Sequence, residues 1–224
     1  MKVSCIIPVF NGEPYLAETL ASVFAQTHRA LEVIVADDGS TDRSAEIARS
    51  HDVVLLQQPN AGHAAARNLG LTAATGEFVA FLDADDLWHP EKLARQLQRF
   101  DARPELGVVF THLENFRGDE VIDRVPGYTS VTMLARRELF TRVGLFDVTL
   151  KHGNDRDWFC RAAEQEVAIE MMPDVLVRRR LHDTNRSAAL GDNSRAEYLR
   201  ILKASLDRRR AAGNDVPQYP FGSK

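Results

Sequence analysis

The chain has 224 residues, 44% of them hydrophobic and 27% charged, with 13 Gly and 9 Pro. The apolar fraction excludes a disordered chain, and the modest Gly and Pro content excludes collagen-like or low-complexity architecture. Twenty-eight basic residues against 32 acidic ones leave a formal charge of −4, which offers no strong electrostatic ground for a nucleic-acid partner and leaves only a local basic patch open.

Cys5 and Cys160 both lie in apolar segments and outside any CxxC pair. They argue against a zinc site or a disulfide framework and fit a reducing compartment. The apolar run 3–10 contains Pro8, stops at Asn11-Gly12-Glu13 and is too short to span a bilayer. It is expected to be a buried strand of a cytoplasmic protein, with peripheral membrane contact left open.

In chain order, residues 2–8 form a first strand, and Pro14 opens a helix carrying Leu16, Leu20, Val23 and Phe24 at helical spacing. A second strand over 31–36 ends at Asp37-Asp38, and Gly39, Ser40 and Thr41 supply a turn and a cap for a helix with Ala45, Ile47 and Ala48. Residues 53–56 are a third strand, Pro59, Asn60 and Gly62 punctuate, and an Ala-rich helix runs to about 74. Residues 78–82 form a fourth strand between Gly76 and an acidic cluster. Apolar strands alternating with helices predict an α/β fold, a parallel sheet covered on both faces. Ligands of such sheets bind beyond the carboxyl ends of the strands, where Asn11, Asp37-Asp38 and Asp83-Ala84-Asp85-Asp86 fall.

The second half is less regular. A helix spans 90–100, a fifth strand 107–111, and a charged loop or hairpin 112–128. A short strand over 132–135 leads into a helix around 137–143, followed by a helix over 155–166 and a strand over 175–179. The tail, 195–210, sets Leu199, Leu202 and Leu206 on one helical face with arginines elsewhere. That face admits three roles, cover of the core by default, contact with a second copy, or association with a membrane surface. The last dozen residues are expected to be weakly structured.

In an extended segment Asp83 and Asp85 would point to one side, about 7 Å apart, and two such carboxylates suit Mg²⁺ or Mn²⁺ holding a diphosphate. A polar turn with a helix cap is the structural alternative. Asp38 could accept a hydrogen bond from a nucleobase N–H or a ribose hydroxyl, although taken alone an Asp in this place is more often a helix cap.

Several segments together resemble family 2 inverting glycosyltransferases. They are Val3-Ser4-Cys5-Ile6-Ile7-Pro8-Val9-Phe10-Asn11, Asp37-Asp38-Gly39-Ser40-Thr41-Asp42, Ala66-Arg67-Asn68-x-Gly70 and Phe81-Leu82-Asp83-Ala84-Asp85-Asp86. The pattern continues through Val143-Gly144-Leu145-Phe146-Asp147, Asn154-Asp155-x-Asp157 and Arg180-Leu181-His182, and covers roughly residues 2–186.

The resemblance implies a GT-A fold, a Rossmann-like, mostly parallel sheet with merged nucleotide- and acceptor-binding halves. A single domain would run over 1–186, its nucleotide-sugar half 1–105 and acceptor half 106–186, with a C-terminal helix and tail over 187–224. It implies metal-dependent inverting transfer of a hexose or N-acetylhexosamine from a UDP-sugar to a hydroxyl of a glycan or lipid-linked acceptor. By the same resemblance Phe10 packs on the base beside Pro8, Asp38 reads the base N3–H, Arg67 lies near the nucleotide and Asp83 meets the ribose or the metal shell. Asp85 coordinates Mn²⁺ or Mg²⁺, and His182 approaches the metal or diphosphate. Asp155 is the catalytic base, preceded here by Asn154 where the family usually has Glu. The residues themselves leave Arg180 either to meet phosphate through a charge-assisted fork or to form, with Arg178 and Arg179, a solvated strand end, and Trp88 either shapes the sugar pocket or packs.

A sugar-phosphate nucleotidyltransferase and a non-catalytic nucleotide-sugar binding protein are the alternatives. The first calls for a Gly-rich loop after the first strand, where this chain has the single Gly12. Asn154 alone points to the second. Homodimerisation is compatible with the tail helix.

Overall fold

The computed structural model describes residues 1–29, 31–183, 185, 192–211 and 213. The expectation for the last dozen residues lies almost wholly outside them. The described elements are β1 (Val3–Val9), α1 (Leu16–Phe24), β2 (Leu31–Asp37), α2 (Ser44–Arg49), β3 (Val54–Gln57), α3 (His63–Ala73), β4 (Phe78–Phe81), β5 (Leu87–Trp88) and α4 (Lys92–Ala102). There follow β6 (Leu106–Arg117), β7 (Glu120–Pro126), a 3₁₀ turn (Ser130–Thr132), β8 (Leu134–Arg136), α5 (Leu139–Arg142), α6 (Asn154–Glu164), β9 (Ala168–Arg180) and α7 (Asp192–Ala211).

One nine-stranded sheet runs in the order β3-β2-β1-β4-β8-β6-β9-β5, and β7 pairs with β6. The pairs β1–β2, β2–β3, β1–β4 and β6–β9 are parallel, whereas β8 joins β4 to β6 antiparallel on both sides. The fold is therefore the mostly parallel α/β sheet of the GT-A class.

Strand alternation sorts the core into two layers. Cys5, Ile7, Val33, Val35, Phe78 and Ala80 face Leu16, Leu20, Leu93 and Leu97 of α1 and α4. Ile6, Ile34, Val79, Phe81, Val108 and Phe110 face α3, α5 and α6 through Ala64, Phe140, Trp158 and Phe159. Because both faces are covered, β1 is buried along its whole length. Both cysteines are buried free thiols.

Within the first layer Lys92 is fully buried. Its Nζ donates to Gln96 Oε1 at 2.8 Å and lies 4.4 Å from the Trp88 ring centroid. Gln96 Nε2 in turn donates to the carbonyls of Val109 and Thr132 at 2.8 and 2.9 Å, and Trp88 Nε1 to the Val131 carbonyl at 3.3 Å. Trp88, 3% exposed, is thus a packing residue that clamps α4 to the 3₁₀ turn. Burial pushes the Lys92 ammonium down from 10.5 to about 7, opposed by the neighbouring Cys5.

Several expectations are corrected. The expected strand over 107–111 extends to Arg117, and the late strand begins at Ala168 rather than 175. Of the two readings of 112–128 the hairpin holds, with β7 as its second arm. The two-residue β5 has too few positions to show a period. The cap of α2 is not Ser40 or Thr41: Asp42 Oδ1 accepts from Ser44 N at 2.9 Å instead.

The leucine face of α7 does not cover the core. Leu199 and Leu206 are 59% and 42% exposed, while Ile201 and Ser205 turn inward against α6 and the preceding loop. A periodic apolar stripe cannot reveal which face meets the protein when a second, narrower face supplies the contact.

Candidate active site

The loops after β1, β2, β3 and β4 meet at the carboxyl ends of the parallel strands. The loop after β1 is tied to the one after β2 by Asn11 N to Ser40 Oγ (2.9 Å), Thr41 N to Asn11 Oδ1 (2.8 Å), Gly12 N to Ser44 Oγ (2.8 Å) and Glu13 N to Asp42 Oδ2 (2.9 Å). Asn11 takes φ +52°, a left-handed conformation that asparagine tolerates better than most side chains. Pro8 is buried inside β1, and Phe10 at the rim is 53% exposed.

Asp38 is 3% exposed and its carboxylate accepts three internal donors. Gln58 Nε2 and Ala61 N reach Oδ1 at 2.7 and 2.9 Å, and Gly62 N reaches Oδ2 at 2.8 Å. Asp38 therefore organises the entry to α3, a capping duty one helix further on than sequence suggests. An ionised carboxylate has about four acceptor positions, so one on Oδ2 remains for a ligand N–H.

Asp83 and Asp85 do not lie on one side of an extended segment. The chain turns, Asp86 N bonding Asp83 O at 3.1 Å, and the two carboxylates take different partners. Asp83 meets His63 Nε2 at 3.0 Å and Arg67 Nη2 at 3.5 Å. Asp85 Oδ2 meets His182 Nε2 at 2.9 Å and Asn185 Nδ2 at 3.2 Å, and the His182 ring lies 4.9 Å from that of Tyr15. Asp86 is buried. Its burial, with the charges of Asp85 and Asp83, pushes its carboxyl well above the usual range, against the pull of Arg180 N at 3.0 Å.

Arg180 is less available for phosphate than its place in the motif implies. Its Nη2 donates to Glu18 Oε2 at 2.6 Å and its Nε to the Asp85 carbonyl at 3.1 Å, with the guanidinium over Tyr15 and Phe116 at 4.9 and 4.7 Å. It braces the acidic turn.

Arg67 is 4% exposed, not a surface helix residue. Its Nη1 donates to Asn154 Oδ1 at 3.1 Å, its guanidinium lies 5.3 Å from the Phe146 centroid, and its Nε has no hydrogen-bond partner among the described residues. The neighbouring Asn68 exchanges two bonds with Phe146, Nδ2 to O at 2.8 Å and Phe146 N to Oδ1 at 3.1 Å. A Cβ on Gly70 would come within 2.3 Å of Ile6 Cγ2, so α3 packs on β1 only with glycine there. Residues 66–70 thus fasten the strand ends to the segment that leads into α6.

Asp155 lies in the first turn of α6, where an acidic side chain is favoured by the helix dipole. Its Oδ1 accepts from Arg156 N at 2.9 Å and its Oδ2 from Thr129 Oγ1 at 3.3 Å. A continuous path therefore joins Asp38, through Gly62 and His63, to Asp83, Arg67, Asn154 and Asp155, and Asp85 with His182 sits two residues from Asp83. These contacts link the candidate residues into one chain of neighbours. His63, Thr129, Asn185 and Tyr15 were not foreseen, since isolated polar residues carry no signature by spacing. Among the described residues no group of three or more His, Cys, Asp or Glu is arranged to hold a metal ion.

The sequence model of glycosyl transferase family 2 matches residues 4–171. An uncharacterized glycosyltransferase of Rickettsia typhi is 31% identical over 211 residues, 81% of this chain and 64% of that protein. The chain spans less than two thirds of the length of the curated relatives it matches.

The crystal structure of S. aureus TarS 1–349 is similar at a TM-score of 0.71 and 27% identity, over 80% of this chain and 60% of that one. The same protein in complex with UDP-GlcNAc aligns at 0.78 and 24%, over 92% and 66%. The mannosyltransferase PcManGT of Pyrobaculum calidifontis, in complex with GDP-Man and Mn²⁺, shares the fold at 0.68 and 24% identity, over 98% and 66%. With three quarters of its length inside the family match and its acidic residues gathered at the strand ends, the chain belongs to glycosyl transferase family 2.

Proposed function

We propose that this chain is a metal-dependent inverting glycosyltransferase that moves a hexose or N-acetylhexosamine from a UDP-sugar to an acceptor hydroxyl. The observation that carries the reading is Asp155, held in the first turn of α6 and joined to Asp83 through Asn154 and the buried Arg67. The TarS complex with UDP-GlcNAc supports the donor class.

Phe10, exposed at the rim, offers a face for the base, and the remaining Oδ2 position of Asp38 accepts a base N–H. Uracil presents such an N–H at N3, and cytosine does not. Asp83 receives the ribose, and the unpartnered Nε of Arg67 adds a buried cation beside the donor. Asp155 takes the proton of the acceptor hydroxyl as its oxygen attacks the anomeric carbon, in line with the departing diphosphate. The Thr129 and Arg156 bonds hold the carboxylate in place for that transfer.

The donor set at Asp85 and His182, a carboxylate oxygen and an imidazole nitrogen 2.9 Å apart, fits Mn²⁺ or Mg²⁺. Such ions are commonly held by one or two side chains, with phosphate oxygens and water completing the shell. A cation there supplies charge neutralisation for the leaving diphosphate.

The test is Asp155→Asn. Sugar transfer from a panel of UDP-sugars falls about 10²- to 10⁴-fold while UDP binding, read as thermal stabilisation, is retained. Undiminished transfer would remove Asp155 as the base.

A further inference from the structure

The first turns of α7 rest on the loop that delivers Asp155. Glu197 accepts from the backbone N–H groups of Lys151 and His152 at 3.2 and 2.7 Å, and Ile201 Cδ1 lies 2.9 Å from where a Cβ on Gly153 would stand. Beside the base, the guanidinium of Arg156 lies 5.5 Å from the Tyr198 ring centroid.

From that ring an apolar stripe runs outward along the helix. Tyr198, Leu199 and Leu206 are 37%, 59% and 42% exposed, and Leu202 between them is half-buried. At 100° and about 1.5 Å per residue these four side chains occupy one flank for about 12 Å. Lys203 and Arg210, both exposed, border the same flank. The helix is too polar to cross a membrane, and none of the described helices is long and apolar enough to do so. Leucines bordered by cations on one helical flank are the pattern that lies in a lipid–water interface. Two copies meeting through this flank would set Lys203 and Arg210 of one against the same cations of the other, which disfavours self-pairing.

We propose that the outer flank of α7 seats this domain on an anionic lipid surface, so that Asp155 works beside the bilayer on an acceptor borne by a lipid. The orientation rests on Asp155 being the base, whereas the lipid contact stands on the stripe and its charges alone.

The experiment is co-sedimentation with phosphatidylcholine vesicles, with and without about 30 mol% phosphatidylglycerol. The wild-type chain pellets with the anionic vesicles, stays in solution with phosphatidylcholine alone, and is released by salt. K203Q/R210Q lowers the partition coefficient about thirtyfold, and L199S/L206S by about tenfold or more, with melting temperatures unchanged because all four side chains are exposed.

Equal pelleting of the variants, or no pelleting of the wild type with anionic vesicles, would overturn the proposal. So would a concentration-dependent dimer, abolished by L199S/L206S, without vesicle binding. Vesicle binding is read without catalysis, so it can fail while the Asp155→Asn comparison succeeds. If Asp155→Asn transfers like the wild type while vesicle binding holds, the assignment of the acceptor to the bilayer side is overturned.

Discussion

Replacing Lys92 with Met tests how a buried amine is tolerated between α4 and the sheet. Lys92 is fully buried and its ammonium is pushed from 10.5 to about 7, a gap worth about 5 kcal/mol at 1.36 kcal/mol per unit. The unfolded chain keeps that proton up to pH 10.5 and the folded chain releases it near pH 7, so between them the unfolded state binds more protons. Stability therefore rises with pH across this window and is lowest, from this source, at and below pH 7. Between pH 7 and pH 9 the wild type gains about 2 kcal/mol from Lys92.

Met fills a similar volume and carries no charge. It leaves Gln96 Oε1 without its donor, a cost of about 1–3 kcal/mol that does not change with pH. Burial pushes the Cys5 thiol far up, so it stays protonated throughout and adds nothing to the slope. Urea unfolding of both proteins at pH 7 and pH 9 separates the two contributions. The wild-type gain exceeds that of Lys92→Met by about 2 kcal/mol. Equal gains would refute the view that Lys92 folds into the core by surrendering its proton.

Asp38→Asn places an NH₂ among the N–H groups of Ala61 and Gly62 and costs about 1–3 kcal/mol in urea unfolding, together with loss of UDP-induced thermal stabilisation. Asp85→Ala abolishes the extra stabilisation that Mn²⁺ adds to UDP, measured as melting temperature with and without the ion. Gly70→Ala costs about 1–3 kcal/mol because its Cβ meets Ile6, and the loss shrinks in an Ile6→Ala background.

The parallel half of the fold was legible because each strand there is an apolar run closed by a polar turn, and the candidate residues fall at those turns. Arg67 shows where legibility ends. Its motif marks a basic residue near the nucleotide, but its burial between Phe146 and Asn154 depends on a contact across 87 positions of sequence. Asp83 and Asp85 show a second limit, since alternation holds only in extended backbone and a turn intervenes. The front of β9 carries Glu170, Met171, Met172 and Pro173, a mixture without period, and is made a strand by parallel pairing with β6. On α7 the leucines gave the period of a helix but not the side that packs, because Ile201 and Ser205 make the contact with α6.

The antiparallel strand β8 is only three residues long, yet it bonds β4 on one side and β6 on the other. It works as a splice between two stretches of parallel sheet. Severing the polypeptide in the α4–β6 connection would leave Val79 and Ala80 on a naked edge in one piece, and in the other β8 would keep β6 but lose β4. The portion that carries the acidic turns and the portion that carries Asp155 are consequently poor candidates for exchange between homologues as separate cassettes. Recombination that preserves the fold has to transfer β8 together with both of its neighbours.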